Sequence, residues 1–266
     1  MRTICQVLRK LLDGTSLEDT AMFIDWLSMY QKPRSEVEQV LFERSLSDVH
    51  VWFAHSNARK WMLTKVPDEA ERRTPYADRG WPTLERSLCE MITKGSSLLD
   101  LGKMDDTCSS WDRVLATCKA QRRAPATPEA FNRILKDKYF GLESESDYDV
   151  LSQTYAMAFG EVILATDALN YSELEWDDDE AIKLTALIPR CIRLQKVALY
   201  GNRIGERGAL ALAEAISRRK TAPEEAGVEL WLTNNPIAKS REMKEARERL
   251  HDAWDKAGLL QENLHL

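Results

Sequence analysis

The chain is expected to fold as an α/β protein with parallel sheets, and three observations carry that expectation. Apolar runs of strand length at 21–26, 61–64 and 98–101 alternate with helical periodicity in the first hundred residues. Residues 108–165 show helical spacing alone. The last third repeats Leu194-x-x-Val197-x-Leu199-x-x-Asn202-x-Ile204 as Leu230-x-Leu232-x-x-Asn235-x-Ile237, the mark of stacked strand–turn–helix units. The expected organisation is a small open parallel sheet over 1–104, a helical connector over 105–168, and a short stack with a C-terminal capping helix over 169–266.

Each element has its own justification. Ile4, Val7, Leu8, Leu11 and Leu12 recur at helical spacing and Asp13-Gly14 ends the run, so the chain opens on an amphipathic helix, not a signal peptide. Ala21–Trp26 is an apolar run ending in an acid, the pattern of a central strand whose end faces a crevice. A helix follows from Ser35, residues 49–53 read equally as helix or strand, and Trp61–Thr64 reads as a strand. Pro82 starts a helix that stops at Gly95, and Leu98–Leu101 is a third strand. In the connector, Trp111, Val114 and Leu115, then Phe131, Ile134 and Leu135, then Val150, Leu151, Tyr155 and Phe159 recur at helical spacing. Thr127-Pro128 opens a helix, and Gly141–Asp149 is an acidic link without the order of a calcium loop. Leu174-x-Trp176-x-x-Asp179 reads as a weaker, earlier copy of the repeat. Residues 239–256 carry Met243, Ala246, Leu250 and Trp254 on one face as a capping helix.

Composition bounds the functional classes. With 44% hydrophobic and 30% charged residues and no long apolar run, no membrane span is expected. The net charge of −6, with both signs spread along the chain, lacks the basic stripe that nucleic acid requires. Five cysteines without a C-x-x-C pair fit neither a disulfide framework nor a zinc ribbon, which points to a reducing, cytoplasmic setting. His50 and His55 have no helical metal-pair spacing, so no metal is expected. Trp26, Trp52, Trp61, Trp176 and Trp231 fall at apolar positions that favour burial, whereas Trp111 and Trp254 are candidates for interface edges.

Two resemblances follow from particular residues. Ile24-Asp25-Trp26 with Gln31, Trp61-Met-Leu-Thr64, and Arg79-Gly80-Trp81-x-x-x-Glu85 resemble the TIR/HET-like domains of signalling and cell death. That resemblance implies a flavodoxin-like topology, here with the family's first strand missing. It also implies, for catalytically active members, cleavage of NAD at its N-glycosidic bond by the glutamate that maps onto Glu85. Pro82 stands where such proteins often have cysteine. Leu194–Ala213 and Val228–Ile237 resemble ribonuclease-inhibitor-type leucine-rich repeats, which implies binding of another protein on a strand face.

Two functional expectations result. The first is a non-enzymatic interaction or scaffold protein without a cofactor. Its partner-binding residues are Gln195, Lys196, Ala198 and Tyr200 around Val197 and Leu199, with Glu229 and Trp231 around Leu230, alternating outward. The second is an NAD glycohydrolase with Glu85 catalytic, Asp25, Ser28 and Trp81 lining the pocket, and Arg79 on phosphate. A subunit role in a larger assembly, with an open sheet edge, is a third possibility. Glu85 alternatively pairs with Arg79 or favours its helix dipole, and Cys89 reads as buried and inert.

Overall fold

The computed structural model describes residues 2–55, 57–70, 73–92, 97–140, 144–219 and 227–266. The helix stop expected at Gly95 and the start of the acidic link at Gly141 lie outside these residues, as does the Trp26 side chain.

The N-terminal third forms α1 (Arg2–Asp13), α2 (Asp25–Ser28), α3 (Glu36–Ser47), α4 (Val49–Phe53), β1 (Lys60–Met62), α5 (Gly80–Ile92) and β2 (Leu98–Asp100). The first helix buries Ile4, Val7 and Leu11, as its spacing predicts. Ser35 caps α3 through a reciprocal bond pair with Glu38. Strands β1 and β2 pair in parallel, Trp61 opposite Leu99.

The strand expected at 21–26 is not formed. Residues 21–24 have no regular structure, α2 starts at Asp25, and the Ser28 hydroxyl accepts the Ile24 N–H at 3.1 Å. An apolar run becomes a strand only where a ladder partner accepts its backbone. Here Phe23 instead stacks on Trp52 at 5.1 Å, leaving that indole 55% exposed, so Trp52 is not core. The expected three strands thus reduce to two among the described residues, and residues 49–53 resolve as helix.

The middle third forms α6 (Trp111–Cys118), α7 (Pro128–Lys136) and α8 (Ser144–Val162). The later part of the acidic link is therefore the first turn of α8. Thr127 caps α7 by accepting the Ala130 N–H, and Phe131 stacks on Tyr155 at 3.8 Å. Trp111 is buried with Val7, Leu11 and Leu99, which corrects its assignment to an interface edge. Ile134 departs from its helical pattern and is 43% exposed.

The last third builds a four-stranded parallel sheet in chain order: β3 (Ala168–Asn170), β4 (Lys196–Ala198), β5 (Glu229–Trp231) and β6 (Leu264–His265). Between the strands run α9 (Asp178–Leu184), α10 (Glu206–Ser217), α11 (Pro236–Lys239) and α12 (Lys244–Lys256). Ala246, Leu250 and Trp254 are buried on α12, so Trp254 is core and not an edge.

Two buried asparagines tie the turns together. Asn202 Oδ1 accepts the N–H groups of Leu174 and Trp176, and its Nδ2 donates to the carbonyls of Tyr171 and Leu199. Asn235 Oδ1 accepts the Ile204 N–H, and its Nδ2 donates to Leu199 and Leu232. Each side chain satisfies backbone groups that burial would otherwise leave costly. These bonds also correct the first repeat copy. Leu174 and Trp176 sit in the turn, and the strand lies earlier, with Leu169 in register with Val197.

A buried arginine joins the two sheet-bearing regions. The Arg122 guanidinium donates to the carbonyls of Glu90 (2.6 Å), Met91 (2.7 Å) and Asn170 (2.9 Å), so it caps the end of α5 while gripping the end of β3. Its Cζ lies 4.0 Å from the Tyr171 ring centroid, and its own carbonyl accepts the Trp176 indole N–H.

Candidate functional site

Period two sends Val197, Leu199 and Leu230 into the core, where none is exposed. The residues between them therefore share the opposite face. Tyr200 is exposed there, and Lys196, Ala198, Glu229 and Trp231 are partly exposed; Gln195 is exposed too, but it precedes β4 at the parity of Val197 and Leu199, which corrects its assignment to this face. Lys196 stands directly opposite Glu229, with the ammonium 4.0 Å from the carboxylate. The same ammonium lies 3.9 Å from the centroid of the Trp231 ring. The indole Nε1–H donates to Glu229 at 2.8 Å, and His265 stacks on the indole at 4.1 Å. Asn170 and Ala168 extend the row on β3, both exposed. Five of the six residues expected to meet a partner, Lys196, Ala198, Tyr200, Glu229 and Trp231, thus share the outward face, and Gln195 does not. His265 is not legible in the sequence as part of this row because β6 is a two-residue strand. The only signal was the Leu264-x-Leu266 alternation, too short to stand apart from the chain's other apolar pairs.

The second constellation centres on α5. Asp25, at the start of α2, and Glu85 hydrogen-bond through their carboxyl groups, although sixty residues of sequence separate them. Burial, reinforced by the Asp25 charge and that bond, raises the Glu85 pKa to about 8, so Glu85 is the protonated member at neutral pH. Burial raises the nearby Tyr76 and Cys89 well above their ordinary values. A thiol held protonated in this way is a poor nucleophile, in keeping with an inert Cys89. Lys60, on β1, is lowered to about 8, chiefly by burial, and donates to the His55 carbonyl.

The other residues expected around Glu85 have different partners. Trp81 donates its indole N–H to Asp147 at 2.9 Å and packs on the main core, tying α5 to α8. Arg79 donates to the Thr74 carbonyl, closing its loop. Gly80 is required there, since a Cβ would fall 2.2 Å from the Phe140 ring. Ser28 is engaged by its own turn. His50 pairs with Glu161 at 2.6 Å, while His55 accepts the Asn57 N–H. No group of three metal-ligating side chains gathers among the described residues. No described helix is long and apolar enough to cross a membrane.

A cleft of about 490 Å³ opens on a different face of α5, lined by Pro82, Thr83, Arg86, Ser87 and Glu90. Asp25 and Glu85 are not among its lining residues. No protein-family model and no curated protein matches this chain significantly.

Proposed function

We propose that this protein acts as a non-enzymatic interaction or scaffold protein that binds another protein on the outward face of its parallel sheet. The observation that carries this reading is the row formed by Lys196, Glu229, Trp231 and His265. A large aromatic ring is held there between charged groups on a rigid sheet beside the exposed Tyr200. Aromatic anchors with fixed rotamers are what protein interfaces use for affinity, because little freedom is lost on binding. The resemblance to leucine-rich repeats supports the same surface. Its mixed charge suits a polar protein patch over a polyanion. A photo-crosslinking residue at Tyr200 is expected to trap a discrete protein adduct that Trp231→Ala abolishes. The same adduct formed equally from Glu214, exposed on α10, would count against the reading.

The raised pKa of Glu85 beside Asp25 favours a second reading, hydrolysis of the N-glycosidic bond of NAD. Against it, paired glycosidase carboxyls stand about 5 Å or more apart with the sugar between them, whereas these two bond to each other. Incubation with NAD is expected to release no nicotinamide; release abolished by Glu85→Gln would establish the second reading.

A further inference from the structure

We propose that the cleft between α5, α7 and α9 is a binding site for a small organic anion: a phosphate or carboxylate head on a compact apolar body. It is separate from the strand face and does not depend on it. The volume of about 490 Å³ falls within the range of small-molecule sites.

The charge in the cleft runs against that of the chain. The protein carries −6 overall, yet Arg86, Arg123, Arg133, Lys138 and Lys183 line this space against the two carboxylates Glu90 and Glu180. Both carboxylates serve as fixings. Glu90 is 5% exposed and meets the Nε atoms of Arg86 at 2.8 Å and Arg123 at 3.6 Å. That contact orients two guanidiniums through their inner nitrogens. It leaves the terminal nitrogens for other acceptors, of which one on Arg86 reaches the Gln121 carbonyl at 3.4 Å. Glu180 accepts the Ala124 N–H at 2.9 Å and pairs with Lys183, which holds the segment before α7 in place. Guanidinium forks set by a buried acid match the planar geometry of carboxylate and the tetrahedral oxygens of phosphate.

The walls supply the apolar half. Pro82, Pro125 and Ala130 line the cleft, together with Ile134, whose departure from the core is otherwise unaccounted for. An aliphatic side chain facing a cationic cleft matches a ligand with an apolar body better than it matches free inorganic phosphate.

The test is titration of the full ¹⁵N-labelled chain with phenyl phosphate, and separately with benzoate, inorganic phosphate and phenol. Saturable shifts are expected at the amides of Ala124, Thr127 and Ala130 for the first two. Inorganic phosphate and phenol are expected to bind about tenfold more weakly or worse. The ratio of phenyl phosphate to benzoate affinity identifies the preferred head. Arg123→Ala and the exposed Arg133→Glu are each expected to weaken phenyl phosphate about tenfold. Arg133→Glu keeps the test decisive if Arg123→Ala disturbs the fold. Lack of saturation by phenyl phosphate and benzoate, shifts centred elsewhere, or affinities unchanged by Arg133→Glu would overturn the site.

Discussion

Lys196 and Trp231, on adjacent strands, are held face to face, the ammonium 3.9 Å from the indole centroid. Glu229 takes the indole N–H and stands opposite Lys196, so the three side chains fix one another. Because these contacts lie at the surface, Trp231→Ala is expected to lower stability by about 2 kcal/mol or less. Urea unfolding checks this, and a larger loss would make Trp231 a core residue.

The asparagine turns are the opposite case. Asn202→Leu removes four hydrogen bonds to buried backbone groups and offers nothing in return. A loss of about 3 kcal/mol or more is expected. Equilibrium denaturation measures it, with Asn202→Leu shifting the midpoint much more than Trp231→Ala.

Arg122 is expected to couple the two sheet-bearing regions. Arg122→Met leaves the carbonyls of Glu90 and Asn170 without this donor and the buried Glu90 with one fewer neighbouring cation. The expected cost is about 3 kcal/mol or more. Hydrogen exchange in the variant should rise both at the end of α5 and along β3; a rise confined to one of them would contradict the coupling.

The Asp25–Glu85 pair predicts a pH dependence with a definite sign. The Glu85 pKa rises from an ordinary 4.5 to about 8 on folding, so the folded chain keeps a proton that the unfolded chain has released. Stability from this group is full below pH 4.5 and declines up to about pH 8, by at most about 1.4 kcal/mol per pH unit. Glu85→Gln keeps a donor for Asp25 but cannot ionise. Its stability should lack the decline that Glu85 contributes between pH 5 and 8, the window set by the raised value, and so fall less than that of the parent chain.

Elements encoded by local chemistry were legible in the sequence, and those made by distant partners were not. Strands β4 and β5 and their asparagines could be read because each repeat writes its turn requirement into a fixed spacing. In the first unit Leu174 stands at the register position of Asn202, so without the asparagine the Leu174-x-Trp176-x-x-Asp179 copy reads five residues too late. Residues 21–26 looked like a strand because apolar composition says nothing about whether a ladder partner exists. Asp25 and Glu85 each stand out in the sequence as candidate site residues, yet their direct bond depends on how α2 docks on α5. The cleft was invisible for a related reason, being assembled from α5, the segment before α7, α7 itself and α9.

Affinity for the partner trapped from Tyr200 tests the central claim most directly, measured with the full chain carrying Lys196→Glu and Trp231→Ala together. The strand-face account predicts a loss of about a hundredfold or more, with the fold retained by thermal unfolding. Unchanged affinity in a folded double variant would contradict it.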